Sequence, residues 1–409
     1  TKSMIYVNIH VKKRNLNPLK EKLDKPAIVI SNHQSVIDSL LMQSLNPKLI
    51  LMVNDWVWDS AFMGPIVKLG GFIPKAAGYE ENLDKIKQLI NDGYSLGIFP
   101  EGSRSETQKI ERFHKGAFYI AEKLNLDIVP IIFHGSGYVQ GKNDSFLLKP
   151  GVLTVQYLPR IDASDKSFGE TYSEKTKNIS KYFKAEYSKI RKEIETVDYY
   201  FNRLSKNYIY KGPVLEWYMR IKIKLEGNYT LFESLLPKKG TITDIGCGYG
   251  FLPYMLAFMS EDRIVIGTDY YEEKIAVANN CFSKTNNITF FTADATECEL
   301  PKSDAFILSD ILHYLPVTEQ EKLLIKCMDS LNPGGMVLLR DADSSLKGRH
   351  WGTRYTEFFS TNVGFNKTKN KLEFVSSSFL LDVVKKHGFN FEKIDNTKLT
   401  SNITYIIKK

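Results

Sequence analysis

Along the first 160 residues, short runs of aliphatic and β-branched side chains alternate with stretches of helical period. Residues 27–30 (AIVI), 49–53, 96–99 (LGIF) and 128–133 (IVPIIF) have the length and composition of buried strands. The stretches 82–92 and 116–124 between them repeat their apolar positions as helices do. Strands alternating with helices predict an α/β domain. Residues 4–11 (MIYVNIHV) alternate in part and predict one more strand. From 173 to 236 the texture changes: Lys, Glu and Tyr dominate, glycine is sparse, and long helical periods run over 182–204 and 214–225. This segment predicts helices bridging two domains rather than a flexible tether. Pro237-Lys238-Lys239-Gly240 breaks the pattern. A second alternation follows, with strands predicted at 241–245, 263–268, 288–292, 305–308 and 336–340 and a turn at 331–335. That order is the one of a doubly wound, Rossmann-like sheet. The expected organisation is an α/β domain over 1–172, a helical linker over 173–236 and a second α/β domain over 237–409.

A chain of 409 residues accommodates two or three such domains, and 43% hydrophobic with 25% charged residues is a globular composition. No run of about eighteen apolar residues predicts a membrane-spanning helix, and the start lacks a signal-peptide pattern. A cytoplasmic chain is therefore expected. The opening residues have no initiator methionine, which suggests excision from something longer. The four cysteines, Cys247, Cys281, Cys298 and Cys327, show neither CxxC nor Cys/His metal spacing, so no disulfide framework and no metal site are expected. The formal charge of +8 asks for an anionic partner but fits nucleic acid, lipid headgroups and acidic carrier proteins alike.

Two places concentrate chemistry in the first half. Asn32-His33-Gln34-Ser35-Val36-Ile37-Asp38 follows directly on the strand AIVI. Ser35 is placed as a helix N-cap with Asp38 three residues on, so the Asp38 carboxylate can fold back on the His33 imidazole and orient it as a base. On its own the pair fits a structural cap better than a catalytic base. Phe99-Pro100-Glu101-Gly102-Ser103-Arg104-Ser105 follows the strand LGIF and gathers a carboxylate, a guanidinium and a glycine on one turn. Arginine suits bidentate phosphate recognition, and glycine lets a ligand approach the backbone.

In the second half, Asp244-Ile245-Gly246-Cys247-Gly248-Tyr249-Gly250 closes the strand TITDI. A lone glycine-rich turn serves several nucleotides, but an acidic strand end and GxGxG spacing favour S-adenosylmethionine. Asp269 and Tyr270 end the next strand, where a carboxylate reaches ribose hydroxyls. Asp294-Ala295 follows the third strand on the adenine side, and Asp310 the fourth on the methyl-donor side. The stretch 349–357 (RHWGTRYTE) is dense in functional side chains. His313 and His350 are candidates to take a proton from the methylated group, with an ordinary packed insertion as the equal alternative.

NHxxxxD followed some sixty residues later by FPEGSR resembles the glycerol-phosphate and lysophospholipid (PlsC-like) acyltransferases. Residues 70–75 (GGFIPK) and 129–131 (VPI) stand as the family's third and fourth blocks. The resemblance implies His33 as general base, Asp38 as its partner, Glu101, Gly102 and Ser103 in holding the acceptor, and Arg104 on its anionic group. The third block has Lys75 where the family often carries arginine, which weakens the case for a phosphate acceptor. The second half resembles class I S-adenosylmethionine-dependent methyltransferases, without the NPPY-type tetrapeptide of amide and adenine methylation.

The whole chain, through phrases such as NDWVW, RFHKGAFYIAEKL, YIYKGPVLEWY, DIGCGYGFLPYML and TSN, resembles fusions in aryl-polyene and flexirubin pathways of Bacteroidetes. In these an MMPL-family exporter precedes the two enzymes. The resemblance implies a bifunctional enzyme. It would transfer an acyl group from an acyl-carrier-protein or coenzyme A thioester to a lipid or lysolipid hydroxyl and methylate the same product or its aryl head. Acyl carrier protein, an exporter (fused or separate) and the inner face of the cytoplasmic membrane are the implied partners, with no nucleic acid. Trp58, Phe62 and Met63 are candidate interfacial anchors, core packing being the alternative. Two other classes fit parts of the pattern: a nucleic-acid methyltransferase with a degenerate acyltransferase-like binding domain, and a non-catalytic membrane scaffold.

Overall fold

The computed structural model describes residues 11–18, 20–61, 63–75, 80, 82–144, 148–149, 151–209, 211–226, 228–345, 372–374, 376–395 and 401–409. The chain divides into two compact units, Thr1–Glu193 and Ile194–Lys409. The segment 173–236, read as a bridge, is thus shared between them.

The first unit is built on seven strands: β1 (Val11–Leu16), β2 (Ile28–Ser31), β3 (Leu49–Val53), β4 (Ile73–Pro74), β5 (Ser95–Ile98), β6 (Ile128–His134) and β7 (Gly151–Tyr157). Their order is β1-β7-β6-β2-β5-β3-β4. All neighbours run parallel except β6 and β7. The strands β2, β5 and β6 are buried at every position, as expected of parallel strands covered on both faces. Val29, Leu51, Val129, Phe133 and Val155 meet Ile37 and Leu41 in one core. The strand expected at 4–11 lies almost wholly outside the described residues; the observed first strand starts at Val11. The long helix Tyr172–Ile194 belongs to this unit and buries Ile179, Phe183, Tyr187 and Ile190, a stripe at helical spacing.

In the second unit the helical period predicted over 182–204 is interrupted. The helix Tyr172–Ile194 ends, Thr196 caps a new one by accepting a hydrogen bond from the Tyr199 N–H at 3.3 Å, and Val197–Lys206 continues from there. Helices Pro213–Glu226 and Asn228–Leu235 follow. The sheet contains β8 (Gly240–Ile245), β9 (Arg263–Asp269), β10 (Ile288–Thr292), β11 (Ser303–Ser309), β12 (Leu331–Ala342), β13 (Asn390–Ile394) and β14 (Asn402–Lys408). Their order is β10-β9-β8-β11-β12-β14-β13. The first five are mutually parallel, and β14 runs antiparallel to both neighbours. Strand order reverses between β8 and β11, and the crevice at the C-terminal ends of strands there is the favoured ligand position in such sheets. The turn predicted at 331–335 is a bulge inside β12: Leu331 pairs with Ser303 while Met336 pairs with Ala305, and Gly334 supplies φ +78°. Arg263 is wholly buried and ties β9 to the helix Asn228–Leu235. Its guanidinium meets Glu233 at 2.5 Å and donates to the Pro237 and Leu256 carbonyls.

Candidate functional site

Where β2 ends, the chain must turn with its backbone groups still inside the protein. Asn32 makes this turn possible by a reciprocal pair with Phe133 of β6, donating to its carbonyl at 2.8 Å and accepting its N–H at 2.9 Å. Asp38, fully buried in the first turn of the helix Ile37–Gln43, then closes the loop from the other side. Its Oδ2 accepts the N–H groups of Gln34 at 2.6 Å and Ser35 at 2.7 Å, and lies 3.2 Å from His33 Nδ1. Ser35 is not the N-cap expected from the sequence: Val36 occupies that place without a side-chain cap, and Ser35 Oγ accepts from the Ile37 N–H instead. The His33 ring is stacked on Phe99 with centroids 4.1 Å apart. With Nδ1–H directed at a carboxylate, Nε2 is the ring's proton acceptor.

The turn after β5 brings its residues to the same place, but Glu101 is aimed inward. It is 4% exposed, and its two oxygens accept the N–H groups of His33 and Glu111, each at 2.7 Å. Burial pushes its carboxyl up to about 7, against those two N–H groups, which pull the other way. Glu101 therefore braces the loop carrying His33. Gly102, at φ +74°, presents bare backbone: a Cβ there would lie 3.2 Å from the His114 ring and 3.7 Å from Lys75 Nζ. Ser103 is exposed and Arg104 half-buried, and the Arg104 guanidinium makes no hydrogen bond or ion pair with described residues. His33, Gly102 and Lys75 are thus brought together, joined by Phe99, which stacks on His33, and by His114, to which the motif reading gave no role.

In the second unit, the turn after β8 uses left-handed backbone at Gly246, Gly248 and Gly250. Gly246 and Cys247 donate to the Thr268 carbonyl, and Gly248 donates to Asp269 Oδ2 at 2.8 Å. A Cβ at Gly248 would meet nothing within 4 Å, so the turn faces open space. Beside the turn lies a cleft lined by Asp244, Gly246, Cys247 and Asp310, with Lys222 and Phe232 from the preceding helices. Burial drives the Asp244 carboxyl well above its usual range, and the Asp269 charge adds to this. Asp310, at φ +56°, accepts from Arg340, and from Asn402 at 3.2 Å.

The other predicted positions stand outside the cleft lining. The Asp269 carboxylate spans the backbone, its Oδ1 accepting from Tyr271 N–H at 2.9 Å; each oxygen keeps a second lone pair for a ligand. Tyr270 is exposed against the edge of Tyr271. Asp294 holds its own turn by accepting from Thr296 N and Oγ1, and Ala295 packs on the core. His313 is buried and paired with Asp341 of β12, Nδ1 to Oδ1 at 2.6 Å. His350, like Phe62, lies outside the described residues.

Comparison with known proteins bears on both halves. Residues 8–134 match the family model described as Acyltransferase, and residues 242–335 the one described as Methyltransferase domain. The chain carries an acyltransferase domain followed by a methyltransferase domain. The first is 30% identical over 136 residues to a chloroplastic 1-acyl-sn-glycerol-3-phosphate acyltransferase of Arabidopsis thaliana, covering 32% of this chain and 38% of that one. The chain spans between 38% and 55% of the length of the curated relatives it matches. Among solved structures, the 1-acyl-sn-glycerophosphate acyltransferase PlsC of Thermotoga maritima is 20% identical at a TM-score of 0.39, covering 44% of this chain and 73% of its own. Human N-acetylserotonin methyltransferase is 19% identical at 0.38, covering 48% and 55%.

In the acyltransferase domain, every exposed large hydrophobic among the described residues falls between 36 and 69: Val36, Leu40, Trp56, Ile66 and Leu69. Of the expected anchors, Trp58 and Met63 are half-buried, Trp58 packing on the core under Lys68. The exposed tryptophan is Trp56. In the methyltransferase domain, Asn402 and Asp341 are the residues the motifs do not announce, since each reaches its partner only through strand pairing.

Proposed function

We propose that the chain is a bifunctional enzyme in which the acyltransferase domain esterifies a lipid hydroxyl and the methyltransferase domain methylates the same product. The observation that carries the first activity is the buried Asp38 carboxylate orienting His33 at the end of β2. His33 Nε2 takes the proton of the acceptor hydroxyl as its oxygen attacks the thioester carbonyl. The tetrahedral oxyanion collapses, the C–S bond breaks, and the thiolate leaves with the proton from His33, giving an ester and a free thiol. Lys75 and Arg104 supply positive charge for an anionic headgroup beside Gly102. The donor is a thioester of acyl carrier protein or coenzyme A, and the acyl group an aryl-polyenoyl chain. The exposed side chains between Val36 and Leu69 lay the domain on the inner face of a bilayer, where the acceptor resides.

The glycine turn, the buried acid Asp244 and the open space above Gly248 fit S-adenosylmethionine, which supplies an electrophilic methyl group when bound. Asp244 and Asp269 hold its amino-acid and ribose ends. His313, oriented by Asp341, accepts the proton released by the methylated nucleophile. The test is mass spectrometry of lipids from cells carrying the intact chain, His33→Ala or Asp244→Ala. We expect the Asp244 variant to accumulate the ester lacking one methyl group and the His33 variant to lack the ester. Disturbance of unrelated compounds by the two variants would separate the two activities and end the common-product reading.

A further inference from the structure

The cleft beside the glycine turn is closed on one side by an element outside the residues matched as a methyltransferase domain, the helix Pro213–Glu226. From it Lys222 enters the lining alongside Asp244 and Asp310. Among the described residues lining the cleft, Lys222 is the sole cation. The two acids there differ in what surrounds them. Asp310 has its charge met by Arg340 and a hydrogen bond from Asn402. Asp244 is 3% exposed and close to a second carboxylate, Asp269, with Lys222 opposing both effects on its protonation. The ammonium itself is steered from within its helix, Nζ standing 5.7 Å from the centre of the Tyr218 ring one turn earlier.

An acid and a cation lining the same cleft, the one within electrostatic reach of the other, complement a zwitterion. The amino-acid end of the adenosyl cofactor is one: its ammonium suits Asp244, and its α-carboxylate requires a positive partner that the glycine turn does not contain. We propose that Lys222 binds the α-carboxylate of S-adenosylmethionine and of its demethylated product, so that the lead-in helix forms part of the cofactor site. This rests on the methyltransferase reading above. It makes Lys222 a binding residue, with the Tyr218 ring and the helix as its support.

The experiment is titration calorimetry on the intact chain with three ligands. S-adenosylhomocysteine carries ammonium and carboxylate, decarboxylated S-adenosylmethionine ammonium and sulfonium but no carboxylate, and 5′-methylthioadenosine none of these. A charge-assisted pair of this kind predicts a loss of roughly tenfold or more in S-adenosylhomocysteine affinity for Lys222→Met. Affinities for the two ligands lacking a carboxylate stay unchanged, and Lys222→Arg recovers part of the loss. Lys222→Gln gives the same comparison if the methionine variant unfolds. Equal weakening of all three ligands, or weakening of none, overturns the proposal and leaves Lys222 as a countercharge to Asp244. Failure of the unsubstituted chain to bind any of the three overturns the methyltransferase reading itself, and the proposal with it.

Discussion

Gln34 Nε2 donates to the Tyr187 hydroxyl at 2.9 Å, with both residues buried. This bond joins the residue directly after His33 to a helix more than 150 positions away in sequence. The helix Tyr172–Ile194 therefore supports the loop of the acyltransferase site rather than merely leading out of the domain. Tyr187→Phe keeps the ring and strands the amide, an unpaired buried donor costing ~1–3 kcal/mol. Urea unfolding should register that loss, and acyl transfer should fall with it. Full activity in a variant destabilised by that amount would show that the loop does not depend on the bond.

Glu101 gives a pH signature. Its folded carboxyl titrates near 7 because it is buried, whereas the unfolded value is 4.5, so the folded state holds an extra proton between those values. Stability from this group is complete below the unfolded value and is lost as pH rises through 7, by on the order of 3 kcal/mol. Glu101→Gln removes that dependence. The difference between the two unfolding curves, measured from pH 4 to 8, should therefore slope downward for the natural chain; a flat difference would rule out the raised protonation.

His313 and Asp341 form a pair that can serve proton transfer or packing alone. If His313 takes the substrate proton, His313→Ala slows methylation by ~10²–10⁴-fold while S-adenosylhomocysteine binding is unchanged. Asp341→Asn slows it less, by loosening the imidazole's orientation. Parallel loss of ligand affinity and melting temperature would mark the pair as structural.

The exposed residues of the acyltransferase domain are tested on vesicles. Burying an aliphatic side chain completely is worth roughly 1.5–3 kcal/mol, so Ile66→Ser with Leu69→Ser should weaken partitioning onto lipid vesicles by about tenfold or more. Turnover of a short-chain, water-soluble acceptor should be unaffected. Unchanged partitioning would remove this face from the membrane contact.

Both glycine-bearing turns and the His33–Asp38 spacing were legible because each follows a strand whose apolar run is visible in a few residues. The linker is less legible. Its Lys- and Glu-rich surface conceals the stripe Ile179, Phe183, Tyr187 and Ile190, and nothing local says which domain that stripe covers. The break at Thr196 is hidden for a related reason: helical period persists across the cap, and only the extended backbone there ends the helix. Glu101 sits in a recognisable motif, yet its inward direction follows from the N–H groups of His33 and Glu111, which only the fold assembles. Asp341 and Asn402 have no spacing signal at all. They reach His313 and Asp310 through neighbouring strands of the sheet.

The position of β14 bears on synthesis. Residues 402–408 enter between β12 and β13, and Asn402 completes the hydrogen bonding of Asp310. Until those residues leave the ribosome, β12 has an unpaired edge and β13 no sheet to join. The acyltransferase domain, assembled from residues emerging much earlier, has no such wait. A nascent chain stalled before residue 402 should thus carry a protease-resistant first domain and a protease-sensitive second one, a folded unit towing a sheet still open at one side.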